Sequence, residues 1–284
     1  MNYKLNVGSD AYFIRFNDDY EVLNCVVPKA GSRTWANKFA NMLKYDGELN
    51  YSIMQKYNIF EYLSQSTDTA RRVQTYTKFI IYRHPLERLV SAYGDKMAGN
   101  RNKFNFAVQY AKQIITVNYL EDNTKAGNYA KLSLEEKQEI KKQQQRMKLP
   151  GAELNITFLE FVTWVTSFLD KNMLYALDIH WTPVTKLCNP CVTFYDILID
   201  HDFINEESQI LVDYLQENKK SNPPIYFEEY PRIATRDKCN EYFRRIPQNL
   251  REKLHKIYLN DFILFGYTYN GDSQDYACEE KNSD

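Results

Sequence analysis

A chain of 284 residues can bury a sizeable core, and 44% hydrophobic with 15% aromatic residues is far too apolar for a disordered chain. A formal net charge of −1 argues against a protein that coats nucleic acid, since counterion-driven binding needs a surplus of Lys and Arg on one face. No run approaches the ~18 apolar residues of a membrane span, and no signal-peptide pattern opens the chain.

Residues Asp10 to Phe16 can form a strand leading into the apolar run Val22 to Val27, which reads as a buried strand. Pro28 stops it, Gly31 permits a tight turn, and Arg33 onward is predicted helical, with Trp35, Phe39, Met42 and Leu43 at helical spacing and an end near Asp46-Gly47. Strand, small-residue loop and helix aim backbone N–H groups, a helix dipole and Lys29 at one point, which suits a bound phosphate or sulfate. The loop is not a Walker loop, because G-x-x-x-x-G-K-[ST] occurs nowhere and Lys29 precedes the glycine. Ile53 to Leu63 reads as a second helix whose aromatics pack in the core.

The pattern repeats at Lys78 to Tyr82: a short apolar strand runs into Arg83, and Pro85 sits at a favourable first helical position. Leu86, Leu89, Val90, Tyr93 and Met97 follow at helix spacing. In a parallel sheet both turns emerge at the carboxyl edge, so Arg83 and the Lys29 loop are expected to share a cleft. Glu87, Ser91 and Asp95 lie on the other, polar face of the helix. Residues 100 to 149 read as helices interrupted between Asp122 and Asn128, with Ser133 and Glu136 forming a capping box. Lys137, Lys141, Lys142, Arg146 and Lys148 make the last of these helices basic. Thr157 and Glu160 form a second capping box, before an apolar stripe of Phe158, Phe161, Val162, Val165, Phe168 and Leu169.

His180-Trp181-Thr182-Pro183 places a titratable group beside a flat apolar ring, a combination that fits either core packing or a sugar site. Val192 to Ile199 reads as a strand ending at Asp200 and Glu206 to Leu215 as a helix. Pro223-Pro224 marks a loop, and Pro247 opens a final helix carrying Leu250, Leu254, Ile257, Tyr258, Phe262 and Phe265 on one side. Five cysteines are too few for a disulfide scaffold. Cys188-Asn189-Pro190-Cys191 is the only close pair, and with four histidines and no second pair no metal is expected. Asn50-Tyr51-Ser52 and Asn155-Ile156-Thr157 would accept glycans in a secretory compartment.

Taken together, Pro28 to Trp35, Arg83 to Tyr93, Ile156 to Phe161, His180 to Pro183, Leu187 to Cys191 and Ile257 to Tyr267 resemble the Golgi carbohydrate sulfotransferases. The likeness is to the chondroitin, dermatan and HNK-1 group and covers most of residues 20 to 267. It implies an α/β fold: a single domain, residues 1–284 with 1–20 and 271–284 peripheral, whose central mostly parallel sheet carries a P-loop-like phosphosulfate-binding turn and is flanked by helices. It implies the donor 3′-phosphoadenosine-5′-phosphosulfate, with Lys29, Gly31, Ser32, Arg33 and Thr34 at the 5′-phosphosulfate and Arg83 and Ser91 at the 3′-phosphate. The acceptor it implies is a chondroitin- or dermatan-like chain or a glycoprotein glycan, in the Golgi lumen, with membrane attachment only through an anchor absent from this sequence. Arg33 stands where a small residue is commoner in this group, and Asn100 to Asn155 carries none of its motifs.

Lys29 is then expected to act on the leaving oxygen. His180 is expected as general base, because an unperturbed histidine pKa of about 6.5 suits the task and Trp181 could brace a sugar ring. Asp178, His84 and Glu87 are the alternatives for the base. In an oxidising lumen Cys188 and Cys191 are expected to pair. Trp35 is expected to pack its helix rather than stack on adenine. A nucleotide kinase-like phosphotransferase and a non-catalytic glycan-binding module are the competing functions.

Overall fold

The structure is a computed structural model and describes residues 13–36, 68–98, 106–121, 128–149, 154–219, 236–269 and 278. In chain order its elements are β1 (Ile14–Asn17), β2 (Val22–Cys25), helical residues 32–36, α1 (Thr69–Thr75), β3 (Thr77–Tyr82), α2 (Pro85–Lys96) and α3 (Phe106–Ile115). There follow a π-helix (Thr116–Leu120), α4 (Leu134–Arg146), α5 (Phe158–Asp170), α6 (Val184–Cys188), β4 (Ile197–Asp200), α7 (Ile204–Lys219), α8 (Arg236–Phe243) and α9 (Gln248–Leu264). The helices expected at 37–46 and 53–63, the sequon at Asn50 and the proline loop at 223–224 lie outside the described residues. The contacts group into two compact units, residues 1–83 with 182–233 and residues 84–181 with 234–284.

The first unit holds the whole four-stranded sheet, in the order β1-β2-β3-β4, with β1 antiparallel to β2 and β2, β3 and β4 mutually parallel. This is the α/β, mostly parallel architecture the sequence predicts. The two middle strands are buried along nearly their whole length, so Val22, Leu23, Phe79 and Ile80 form an apolar slab without the alternation of a one-sided sheet. The β1–β2 turn is held by Asn17, whose side-chain oxygen accepts from the Tyr20 backbone N–H at 3.0 Å. Arg72 of α1 grips Asp18 in the same turn through two 2.7 Å hydrogen bonds, holding the Asp18 carboxyl below its ordinary range. Trp35 is buried as expected of a packing residue. Its ring lies 4.4 Å from that of Phe79, and its indole N–H donates to Ser208 Oγ of α7 at 3.1 Å.

The strand expected over Val192 to Ile199 is shorter. Asn189 adopts φ +41°, Pro190 starts a helical turn through Thr193, and Phe194 returns at φ +50°, so only Ile197–Asp200 pairs with β3. Proline at a first helical position outweighs the β propensity of the residues after it. The cysteine expectation is overturned too: Cys188 at the end of α6 bonds to Cys25 at the end of β2, with Cα atoms 5.8 Å apart, and Cys191 keeps an exposed free thiol. Folding brings Cys25, far away in sequence, within bonding distance of Cys188. A second disulfide joins Cys239 and Cys278 in the other unit.

The second unit is helical around an aromatic core. Both predicted capping boxes form: Ser133 caps α4 and Thr157 caps α5, each side chain accepting from the N–H three residues on while that residue's glutamate reaches back. Glu160 is buried and also meets Arg146 of α4 at 2.5 Å. Burial alone would raise its pKa; hydrogen bonds from Arg146 and Thr157 outweigh that and hold it low. Phe161, Val162 and Val165 of the predicted stripe are fully buried. Tyr93 of α2 sets its ring against Phe158 at 5.1 Å and donates to the Ile156 carbonyl at 2.8 Å.

Candidate functional site

Because β2, β3 and β4 run parallel, their carboxyl ends lie at one edge of the sheet in the first unit, where α/β sheets bind ligands. The loop after β2 is built by backbone conformation. Lys29 adopts φ +70°, a left-handed conformation that a lysine takes only at a cost of order 1 kcal/mol and that is typical of functional turns. Gly31 follows at φ +79°, and a Cβ there would stand 2.3 Å from Ile204 Cδ1 at the start of α7. Only glycine fits. The chain then turns straight into helix, with the Trp35 N–H donating to the Gly31 carbonyl at 3.3 Å. The N–H groups of residues 32–34, in the first helical turn, have no intrahelical acceptors.

Arg83, at the end of β3, is 4% exposed and donates from Nη1 to the Lys29 carbonyl at 3.2 Å. The sequence expectation that Arg83 and the Lys29 loop meet at one sheet edge is met within this unit. Thr34 Oγ1 is buried with no hydrogen-bond partner among the described residues, an orphan hydroxyl in the turn that would receive an anion. Lys29 and Ser32 are half-buried and Arg33 is exposed. His201, which has no other site signal beside it in the sequence, follows β4, and its ring lies 4.0 Å from the point a Gly31 Cβ would occupy.

The other predicted residues belong to the second unit. Ser91 is half-buried on α2, but Glu87, read as part of the same polar face, is buried with Arg236 Nε at 3.5 Å. His84 is a core ring edge-on to Tyr267 at 4.8 Å and supplies no side-chain cap to α2. Trp181 cannot brace a sugar: it is fully buried among Tyr110, Phe161 and Trp164, because its indole completes the aromatic core beneath α5.

His180 remains accessible, its side chain 16% exposed, and its Nδ1 lies 2.6 Å from Asp178 Oδ1. The Asp178 carboxylate also accepts from the His180 backbone N–H at 3.0 Å and from the Tyr110 hydroxyl at 2.9 Å. Burial pushes its pKa up, and the hydrogen bonds from His180 and Tyr110 more than reverse this, so the carboxyl is held below its ordinary range.

A sequence model of the sulfotransferase family matches residues 13–268. The chain belongs to the sulfotransferase family. Among curated relatives, the chain is 25% identical over 270 residues to carbohydrate sulfotransferase 9 of Homo sapiens, covering 90% of this chain and 53% of the relative. It is 23% identical over 261 residues to human carbohydrate sulfotransferase 8, covering 88% and 54%. Against carbohydrate sulfotransferase 14 of Danio rerio it is 24% identical over 277 residues, covering 93% and 64%. The chain thus spans about half the length of the first two. No solved structure matches it. Membership of the family implies a sulfate donor.

Proposed function

We propose that this sulfotransferase moves a sulfuryl group from 3′-phosphoadenosine-5′-phosphosulfate to a hydroxyl of a carbohydrate, and that residues 1–284 act as one catalytic domain. The observation that carries the reading is the Lys29 loop itself: a left-handed lysine, a glycine at positive φ, an orphan Thr34 hydroxyl and a buried arginine at one sheet edge. Lys29, Gly31, Ser32, Arg33 and Thr34 would hold the 5′-phosphosulfate, and Arg83 and Ser91 the 3′-phosphate. The donor supplies the sulfuryl group; the protein supplies alignment and charge stabilisation, as in phosphoryl transfer. Lys29 would stabilise negative charge growing on the leaving phosphate oxygen. His180 would take the acceptor's proton.

Chondroitin- or dermatan-like chains and glycoprotein glycans are the acceptors we propose. Two disulfides fit an oxidising compartment, which supports a Golgi-lumen location. Isothermal titration with adenosine 3′,5′-bisphosphate in the absence of magnesium tests the donor half. Tight binding is expected; a preference for ATP with magnesium would indicate a kinase, and no nucleotide binding would leave a glycan-binding module. Incubation with labelled donor and a panel of desulfated glycosaminoglycans and glycoprotein glycans tests the acceptor half.

A further inference from the structure

We infer that Asp178 and Tyr110 are positioning residues for His180: Asp178 fixes its tautomer and stabilises the imidazolium formed during transfer, and Tyr110 fixes Asp178. The inference rests on the reading of His180 as the base. Tyr110 lies in α3, within the stretch that carries none of the family's motifs, and nothing in its sequence surroundings marks it.

Asp178 accepts hydrogen bonds on both carboxylate oxygens. Its Oδ2 accepts from the Tyr110 hydroxyl at 2.9 Å, and its Oδ1 accepts from the His180 backbone N–H at 3.0 Å. A carboxylate that receives two donors and is held in its ionised form is an acceptor only, so at the 2.6 Å contact with Oδ1 the histidine Nδ1 must be the donor. Neutral His180 therefore carries its proton on Nδ1 and its lone pair on Nε2. Tyr110 stays protonated across the working range, because burial and the neighbouring Asp178 push its pKa up to about 12.

The segment is clamped on both sides of the histidine. Arg88 of α2 donates from Nη2 to the Ile179 carbonyl at 2.9 Å, and Tyr258 of α9 donates to the Trp181 carbonyl at 2.6 Å; both side chains are about 1% exposed. Asp261, fully buried on α9, and Arg88 are the charged groups that act on Tyr258. Three helices thus fix the backbone and the ring while the His180 side chain stays reachable. Rigid support of this kind distinguishes a prepared base from a surface histidine.

In the reaction the acceptor oxygen forms a bond to sulfur and the bond from sulfur to the bridging phosphate oxygen breaks, its electron pair leaving on that oxygen. The acceptor's proton passes to His180 Nε2. The imidazolium then holds a proton on each nitrogen, and its positive charge faces the Asp178 carboxylate, which stays ionised, as in the serine-protease triad.

Two measurements test this. Ring 15N spectra of the four-histidine protein should show His180 as a single Nδ1–H tautomer in the parent and a mixture in Asp178→Ala, a readout that needs no acceptor. With an acceptor from the panel, Asp178→Ala should lose about 10²-fold or more in turnover while keeping parental affinity for adenosine 3′,5′-bisphosphate. Asp178→Asn should move the acidic limb of the turnover–pH profile down by about one unit. Tyr110→Phe, which removes one hydroxyl and leaves the ring packed, should lose roughly 3- to 10-fold. Loss in His180→Gln with parental turnover and an unmoved limb in both Asp178 variants would overturn the positioning inference alone. Parental turnover in folded His180→Gln would remove the base reading and the inference with it.

Discussion

The Lys29 loop and the His180 segment prepare chemical groups in opposite ways. In the loop the work is done by main chain: two left-handed residues, a glycine pressed towards Ile204 and the open N–H groups of a helix start. At His180 it is done by side chains reaching from three helices, with Arg88 and Tyr258 pinning the backbone on either side and Asp178 with Tyr110 orienting the ring. A main-chain site is written in consecutive residues, whereas a side-chain site is written in residues that only folding brings together. The first tolerates almost no added atoms. The second is weakened by each polar atom removed.

That contrast can be broken at its strongest point first. Lys29→Ala should lower turnover about 10²- to 10³-fold, equivalent to about 2.7–4 kcal/mol of lost charge stabilisation, with a smaller effect on product binding. Lost affinity with kcat unchanged, measured by steady-state kinetics beside titration, would mean that the loop's lysine only binds. Cys188→Ser should cost about 2–4 kcal/mol of stability by denaturant unfolding, because the bond to Cys25 closes a separation of 163 residues. A drop confined to the donor-loop unit would sharpen the division between the two regions.

Gly31→Ala should destabilise by about 1–2 kcal/mol and weaken adenosine 3′,5′-bisphosphate binding, from left-handed strain plus the contact with Ile204. Trimming that neighbour in Gly31→Ala with Ile204→Val should return part of the loss, and a full return would show that crowding, not backbone conformation, is the constraint. The smallest effect concerns pH. Glu160 has a depressed folded pKa, so its contribution to stability is complete above the ordinary carboxylate value of about 4.5 and disappears as pH falls through the folded value. Thermal melts of Glu160→Gln should therefore depend less on pH below that point than those of the parent.

Much of the sheet edge around the Lys29 loop was legible because its signals are local. An apolar run closed by Pro28 and Gly31, and another closed by Arg83 and Pro85, fix two strand–turn–helix units, and parallel pairing puts their turns at one edge. The capping boxes at Ser133 and Thr157 were equally readable, since three-residue spacing is their whole mechanism. The partner of Cys188 was not, because proximity along the chain competes with a register set by β2 and α6. Of the two readings left open for Trp181, core packing holds; the sequence could not decide it because its neighbours along the chain are polar and proline-rich, while its neighbours in space are Phe161 and Trp164. Tyr110 looks like any other aromatic on an amphipathic helix until Asp178 is found 2.9 Å away.

The cysteine pattern bears on how the chain reaches this state. During synthesis Cys25 emerges long before its partner, and when Cys188 appears Cys191 follows at once. Closing a loop of a few residues takes far less chain entropy than closing one of 163, so first encounters favour the short pair over the native one. The exposed Cys191 thiol is also an internal nucleophile close along the chain to the Cys25–Cys188 bond. Oxidative maturation is therefore a contest between speed of encounter and depth of burial, which a disulfide isomerase would resolve and which replacing Cys191 with serine would remove.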